Sequence, residues 1–317
     1  MIIVRLMGGL GNQLQQYSLY RRLVENNIDA RLDVHWFDEE NQIDMRAKRK
    51  IEIDLFEGVD YIPATKQEVK KLTGGEGIIG KIRRKFLPFS VNYFNERGQM
   101  YHEKLIQDIF YDKKIKNMYL EGYFACEYYH KEGLDKLRKS LKFRLDEVDY
   151  KAELDKITDD MKKHDAISVH IRRGDYLDPV NAKMFGNICT DEYYDTCISY
   201  VIKTLERPKF YIFSDDQDFA EKFNRDLAKK YNNITSDIIN INHGSNSYLD
   251  IYLMSQCRAN ITANSTFSFW GARLNDNVDK LLLRPTIHRN DQEFDLEQMK
   301  IWWEGWKFIS PEGKLYN

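Results

Sequence analysis

The sequence predicts an α/β protein built on parallel sheets, and three observations carry that prediction. Short runs of apolar and β-branched residues alternate with segments of helical periodicity. The alternation is most regular after residue 165, where strand and helix follow each other without a break. The chain's 317 residues also exceed what one ordinary core fills, which favours two domains of about 150 residues each.

At the start, IIVRL reads as a strand, GGLGN as a turn and QLQQYSLYRRLVENN as a helix with apolar residues three and four apart. DARLDV follows as a second strand, completing a β-α-β unit of the parallel type. Residues 35 to 150 read less regularly, with two glycine-rich or basic excursions and a helix near LDKLRKSLKF. The charged stretch DDMKKHD is the expected boundary, giving domains at 1–160 and 161–317. Beyond it come strand AISVHI, helix DEYYDTCISYVIKTL, strand KFYIF, helix DQDFAEKFNRDLAKKY, strand DIINI, helix SYLDIYLMSQC, strand ANITA, helix TFSFWGARLN and strand KLLLR. The aromatic tail WWEGWKF reads as the anchor of a terminal helix, one able to pack back on the first domain, with stacking faces for a sugar as the alternative.

Composition narrows the class. With 42% hydrophobic and 31% charged residues and only 6 prolines, the chain is folded and soluble rather than disordered or fibrous. A net charge of −2 supplies no global field for nucleic acid, which is excluded as a partner. Two local basic patches exist, RAKRK at 46–50 and KIRRKFLPF at 81–89. The second mixes cations with Phe and Leu as a segment touching an anionic surface does; a solvated charged face is the plainer reading. Four scattered cysteines form no C-x-x-C pair, and no apolar run reaches the length of a membrane span. The expectation is a cytoplasmic protein, with peripheral contact at the inner membrane left open.

Three motifs imitate nucleotide sites. GEGIIGKI nearly spells a phosphate loop, but Ile82 stands where a magnesium-ligating hydroxyl belongs. GGLGNQL with Asp33 imitates a dinucleotide fingerprint, but Leu14 takes the place of the third small residue. SDDQD, Ser214 to Asp218, resembles the acid pair of metal-dependent sugar transferases, though the seven His form no supporting cluster.

HIRRGDY, residues 170 to 176, is more informative. Alternation along the preceding strand sends His170 and Arg172 to one side and Arg173 to the other, and ligands of open parallel sheets bind at the carboxyl ends of strands. A planar guanidinium matches a phosphate with two parallel hydrogen bonds. The structural alternative is an ion pair of Arg173 with Asp175. ITANSTFSFWGARL places Asn264, Ser265 and Thr266 at the start of a helix, where hydroxyls, backbone N–H groups and the helix dipole favour an anion. With Asp215 or Asp216 able to accept guanine's N1–H and amino protons, these stretches describe a nucleotide-diphosphate pocket.

GGLGNQ, HIRRGDY, FSDD and ANSTFSFWGA, in this order over residues 8 to 272, resemble the α-1,2-fucosyltransferases of glycosyltransferase family 11. That resemblance implies a GT-B fold of two Rossmann-like domains facing across a cleft. It also implies GDP-fucose as donor in the C-terminal domain, a galactoside-terminated acceptor, no cofactor or metal, and an inverting reaction. By position, Arg172 resembles the arginine that grips the donor diphosphate. His170 and Asp216 match positions that meet guanine, and Ser265 and Thr266 match positions near the phosphates. Gly8 to Gln13 correspond to an N-terminal loop facing the cleft, and Phe269 stands where the family often has Trp. The resulting site has Arg172 and His170 as catalytic residues. Its donor-binding residues are Arg173, Asp175, Ser214, Asp215, Asp216, Asn264, Ser265, Thr266, Phe267 and Ser268, with Gly9, Gly11, Asn12 and Gln13 from the loop. The general base stays open among His170, Asp175 and an acid of the N-terminal domain. A metal-dependent transferase using Asp216 and Asp218, and a non-catalytic glycan-binding module, are the rival readings.

Overall fold

A computed structural model describes residues 1–43, 48–75, 77–86, 92–96, 100–231 and 234–316. Parts of both basic patches, 46–47 and 87–89, lie outside the described residues. The chain divides into two compact units, Met1–Lys142 and Phe143–Asn317.

The first unit opens with β1 (Ile2–Arg5), α1 (Leu10–Glu25) and β2 (Ala30–Asp33). It continues through α2 (Lys66–Thr73), α3 (Gly77–Phe86), β3 (Tyr93–Asn95), α4 (Glu103–Ile106), β4 (Met118–Glu121) and α5 (Leu134–Ser140). Its sheet, in the order β2-β1-β4-β3, is parallel throughout. β1 is paired along both edges by β2 and β4, and its successive residues Ile2, Ile3 and Val4 are all buried, so both its faces are covered and it is a continuous apolar run rather than an alternating one. Gly8 enters α1 with φ +81, a conformation its missing Cβ makes accessible.

The second unit contains α6 (Lys151–Met161), β5 (Asp165–Ile171), α7 (Pro179–Phe185), α8 (Asp191–Thr204), β6 (Pro208–Ser214), α9 (Gln217–Lys230) and β7 (Thr235–Ile239). There follow α10 (Leu249–Ser255), β8 (Ala259–Ile261), α11 (Thr266–Leu274), β9 (Leu281–Pro285), α12 (Leu296–Trp302), β10 (Trp306–Ile309) and β11 (Leu315–Tyr316). The seven strands run β11-β10-β9-β8-β5-β6-β7, parallel except for the β10–β11 pair. Local chemistry sets the helix starts: Thr190 caps α8, Asp216 caps α9, and Asp178 with Pro179 opens α7.

One layer of core fills the space between the sheet and α8 and α9. Val169 and Ile171 of β5, Phe210 and Ile212 of β6, and Tyr193, Cys197 and Val201 of α8 are all buried there. The four-residue spacing on α8 and the two-residue spacing on the strands are the periods that bring these side chains to one interface. Under the other face, Asn260 of β8 donates to Ser168 Oγ at 2.8 Å and to the Met254 carbonyl at 2.7 Å. Asn275, which ends α11, donates to Asn260 Oδ1 and to the Cys257 carbonyl. This buried polar chain ties β5, β8, α10 and α11 together.

Three expectations are corrected. The division falls at Lys142 rather than near 160, and α6 goes with the second unit, as Tyr150 donates to Asn242 and Phe143 stacks on Tyr248. WWEGWKF is helix only at its first residue: α12 stops at Trp302, and Trp306 to Ile309 pair with β9 as strand β10. Trp303 and Trp306 are buried against Phe269 within the same unit. The strand expected at DIINI starts two residues earlier, because Thr235 to Ile239 is the stretch in register with β6.

Candidate functional site

The strand order of the second unit has a reversal. From β5 the chain builds outward through β6 to β7, then returns to lay β8 against the opposite edge of β5 and builds away through β9. Such a switch leaves a crevice outside the carboxyl ends of the two strands where the connections part. HIRRGDY leaves β5 there, the segment 262–266 leaves β8 there, and Ser214 to Asp216 leave the neighbouring β6.

Arg172 and Arg173 are held by three carboxylates. Arg172 donates from Nη2 to Asp175 at 2.7 Å and pairs through Nη1 with Asp215 at 2.8 Å. Arg173 donates its backbone N–H to Asp215 at 2.8 Å, pairs through Nε with Asp216 at 3.0 Å, and lies 4.0 Å over the Phe219 ring. The expected Arg173–Asp175 pair is therefore replaced by Arg172–Asp175, since the turn after Arg173 carries Asp175 back under the preceding residue's guanidinium. Each of these pairings uses part of a five-donor guanidinium; Arg172 keeps its Nε–H and Arg173 its two Nη groups for another acceptor. Gly174 makes the arrangement possible, because a Cβ there would stand 2.4 Å from Asp215 Oδ2.

Asp216 has two tasks. Its Oδ1 accepts from the Phe219 N–H at the start of α9, and its Oδ2 accepts from Arg173. The helix N–H first, and then the Arg173 bond, hold its carboxyl below the usual range, so it is ionised. Ser214 Oγ accepts from the Asp216 N–H at 3.1 Å and orders the turn.

His170 is buried at the end of β5, its ring 5.8 Å from Phe267. Burial, and then the nearby Arg172 charge, pull it down to about 3, so it is a neutral imidazole at any physiological pH. The β8 side is joined to this cluster by a residue the sequence reading did not single out: Tyr176 donates to the Asn264 carbonyl at 2.9 Å and stacks on Phe185. Asn264, expected at the anion site, is turned inward; its amide donates to the carbonyls of Phe185 and His288. Ser268 bonds back to the Ser265 carbonyl, and Ser265 occupies the cap position of α11 without using its hydroxyl as a cap. Ser265, the half-buried Thr266 and Phe267 thus form the lip of that helix start.

The four residues expected from the N-terminal loop lie in the first unit. Gln13 is fully buried and bonded on all sides: it donates to the carbonyls of Gly8 and Lys50 and accepts from the N–H groups of Glu52 and Ile53. It is a brace of the loop rather than a ligand group. Gly11 is buried in α1, a Cβ on Gly9 would stand 3.6 Å from Arg49 Nη1, and Asn12 packs beneath Gly8.

The same unit holds an acid with unusual chemistry. Glu96 follows β3, and its Oε2 accepts from the backbone N–H groups of Tyr123 at 2.8 Å and Phe124 at 2.7 Å. Phe124 sits at φ +50, a strained position for a bulky residue, and Gly122 leaves room that a Cβ would fill at 2.5 Å from Glu96. Burial pushes this carboxyl up to about 7 against the two N–H bonds. Sequence alone carried no sign of it beyond the single Gly in EGYFAC, since its partners come from a distant strand end.

Comparison with known proteins identifies the family. The family model described as glycosyl transferase family 11 matches residues 79–310. An alpha-1,2-colitosyltransferase of Escherichia coli is 28% identical over 291 residues, 90% of this chain and 91% of that protein. The O-antigen biosynthesis glycosyltransferase WbnK of Escherichia coli is 28% identical over 295 residues, 88% and 92% of the two chains. Galactoside alpha-(1,2)-fucosyltransferase 1 of Aotus azarae is 28% identical over 110 residues, 34% and 28% of the two chains. Among solved structures, POFUT1 in complex with GDP covers 87% of this chain and 94% of its own at 13% identity and a TM-score of 0.40. A match through most of the sequence, taking in β5, the arginine pair and the start of α11, places this chain in glycosyl transferase family 11.

Proposed function

We propose that the chain transfers L-fucose from GDP-β-L-fucose to the 2-hydroxyl of a terminal β-galactoside, with inversion, without a metal, and on the GT-B fold that the family resemblance implies. The observation that carries this is the arginine pair at the switch point of a parallel sheet, in a family 11 chain. As the bond from the sugar to the diphosphate breaks, negative charge grows on GDP and positive charge on the sugar ring. The remaining N–H groups of Arg172 and Arg173 and the N-terminal end of α11 are fixed donors for the first of these charges. Asp215 and Asp216 are acceptors for the guanine edge, and the neutral His170 with Phe267 offers an apolar wall beside it.

The acceptor hydroxyl must also lose a proton. A conjugate acid near 3 makes His170 a weak base, and Asp175 is engaged by Arg172. The third candidate is an acid of the N-terminal domain.

The name of one Escherichia coli relative favours a second reading, with colitose as the transferred sugar. Colitose is the 3-deoxy counterpart of fucose, and a site that hydrogen-bonds a substrate hydroxyl rejects the analogue lacking it by about 10⁴-fold. A GDP-release assay with both donors across a galactoside panel, with product linkage read by NMR, separates the two. Galactoside-dependent release and an α-1,2 product are expected, unaffected by EDTA. Release without a galactoside product would overturn the assignment, and loss of rate in EDTA would move the diphosphate role to a metal at Asp216 and Asp218.

A further inference from the structure

Most surface helices turn their apolar side inward; α3 does the reverse. The side by which it is held carries Gly80, Arg83 and Arg84. Gly80 lies so close to the Gly75 carbonyl that a Cβ would meet the oxygen at 2.0 Å. Arg84 donates to the carbonyls of Thr73 and Gly75 and lies over the Tyr93 ring, while Arg83 donates to the carbonyl of Gly74. These are the carbonyls that end α2, where Gly74 adopts the left-handed cap, so the two guanidinium groups complete a helix C-terminus and fasten α3 by that side.

Three of its apolar residues face the other way. Ile78, Ile82 and Phe86 stand four apart and form one stripe, and Ile82 lies about 200° round the helix from Gly80. They are 77%, 49% and 65% exposed, too large a set to be scattered surface residues of the ordinary kind. Charge identifies what such a stripe fits. Within 77–86 there are Lys81, Arg83, Arg84 and Lys85 and no acidic residue, although the whole chain carries −2. Lys85 is exposed next to Phe86, and Lys70 and Lys71 are exposed on the last turn of α2.

We propose that α3 is an interfacial helix that docks the protein on a bilayer surface rich in anionic lipid, with Ile78, Ile82 and Phe86 entering the acyl boundary and exposed lysines such as Lys85 meeting the headgroups. An apolar stripe about 12 Å long, with the exposed Lys85 beside it on a helix that carries no acid, is complementary to such a surface. No helix among the described residues is long and apolar enough to cross a membrane, so this contact is of the peripheral kind. The inference is independent of the transferase reading.

The test is co-sedimentation of the full chain with vesicles of phosphatidylcholine alone and of phosphatidylcholine mixed with phosphatidylglycerol, at low and high salt. Binding to the anionic vesicles only, weakened by salt, is expected. Replacing Ile78→Ser, Ile82→Ser and Phe86→Ser together lowers the partition constant by about tenfold or more with the thermal midpoint unchanged, because all three are exposed. Lys85→Glu lowers it by at least about fivefold and flattens the salt dependence. Failure of the wild-type chain to sediment with anionic vesicles, or equal binding by the triple variant, would overturn the proposal. So would a triple variant that changes the size of the protein in solution without losing vesicles, which would assign the stripe to a second copy of the chain.

Discussion

Arg172 and Arg173 are neighbours in sequence, yet they answer to different carboxylates, and the difference assigns their work. Arg172 is gripped at both ends by Asp175 and Asp215, so its position is set before any ligand meets it. Arg172→Ala is expected to lower turnover about a hundredfold or more while leaving the far-UV spectrum and thermal midpoint near wild type, since the side chain is partly exposed. Measured GDP release at the wild-type rate would remove it from the mechanism. Gly174→Ala forces Asp215 aside through a 2.4 Å clash, loosening both arginines at once. A raised donor KM with the fold intact is the expected kinetic result; an unchanged KM would show that Asp215 does not set the arginines.

At the scale of elements, the site is assembled by loops whose backs are bonded into the core. Tyr176 fastens the β5 loop to Asn264 of the β8 loop, and Asn264 in turn holds the carbonyls of Phe185 and His288. Beneath them, Asn260 joins Ser168 of β5 to Asn275 at the end of α11. Removing its amide strands several buried polar groups, each costing about 1–3 kcal/mol. Asn260→Ala is expected to lose roughly 2–4 kcal/mol in a denaturation experiment and to weaken GDP binding, because α11 loses the support of its C-terminal end. A variant as stable as wild type would show that the polar chain is not needed to hold α11.

At the scale of the molecule, four groups with shifted titration shape the response to acid. His170 and His288 are pulled down to about 3, chiefly by burial, so the unfolded chain binds protons that the folded chain refuses. Their stabilising effect is lost as pH falls from about 6.5 towards 3. Glu96 and Asp250, both pushed up to about 7 by burial, do the opposite: the folded state holds their protons, and stability falls as pH rises from about 4 towards 7. Between about 4.5 and 6.5 the two pairs offset each other. A Glu96→Gln, Asp250→Asn double variant should therefore lose thermal stability more steeply than wild type on acidification across that window. Equal slopes by calorimetry would show that the two acids are not protonated in the folded protein.

The sequence by itself determined the α/β class, the strand and helix series after residue 165, and the local motifs at strand ends, because periodicity and turn chemistry are written within a few residues of each other. It also singled out the arginine doublet, since a fixed double cation after a buried strand is a local anomaly. Only the tertiary structure decided which carboxylate each arginine holds, that Gln13 and Asn264 face inward, that the tryptophan tail is a strand of the second sheet, and that Glu96 is buried against the turn after β4. Those outcomes depend on strand order and on partners tens of residues away, where spacing along the chain carries no information about spacing in the fold. The reversal between β5 and β8 is the clearest case: it brings the ends of β5, β6 and β8 side by side, and no stretch of sequence spells it.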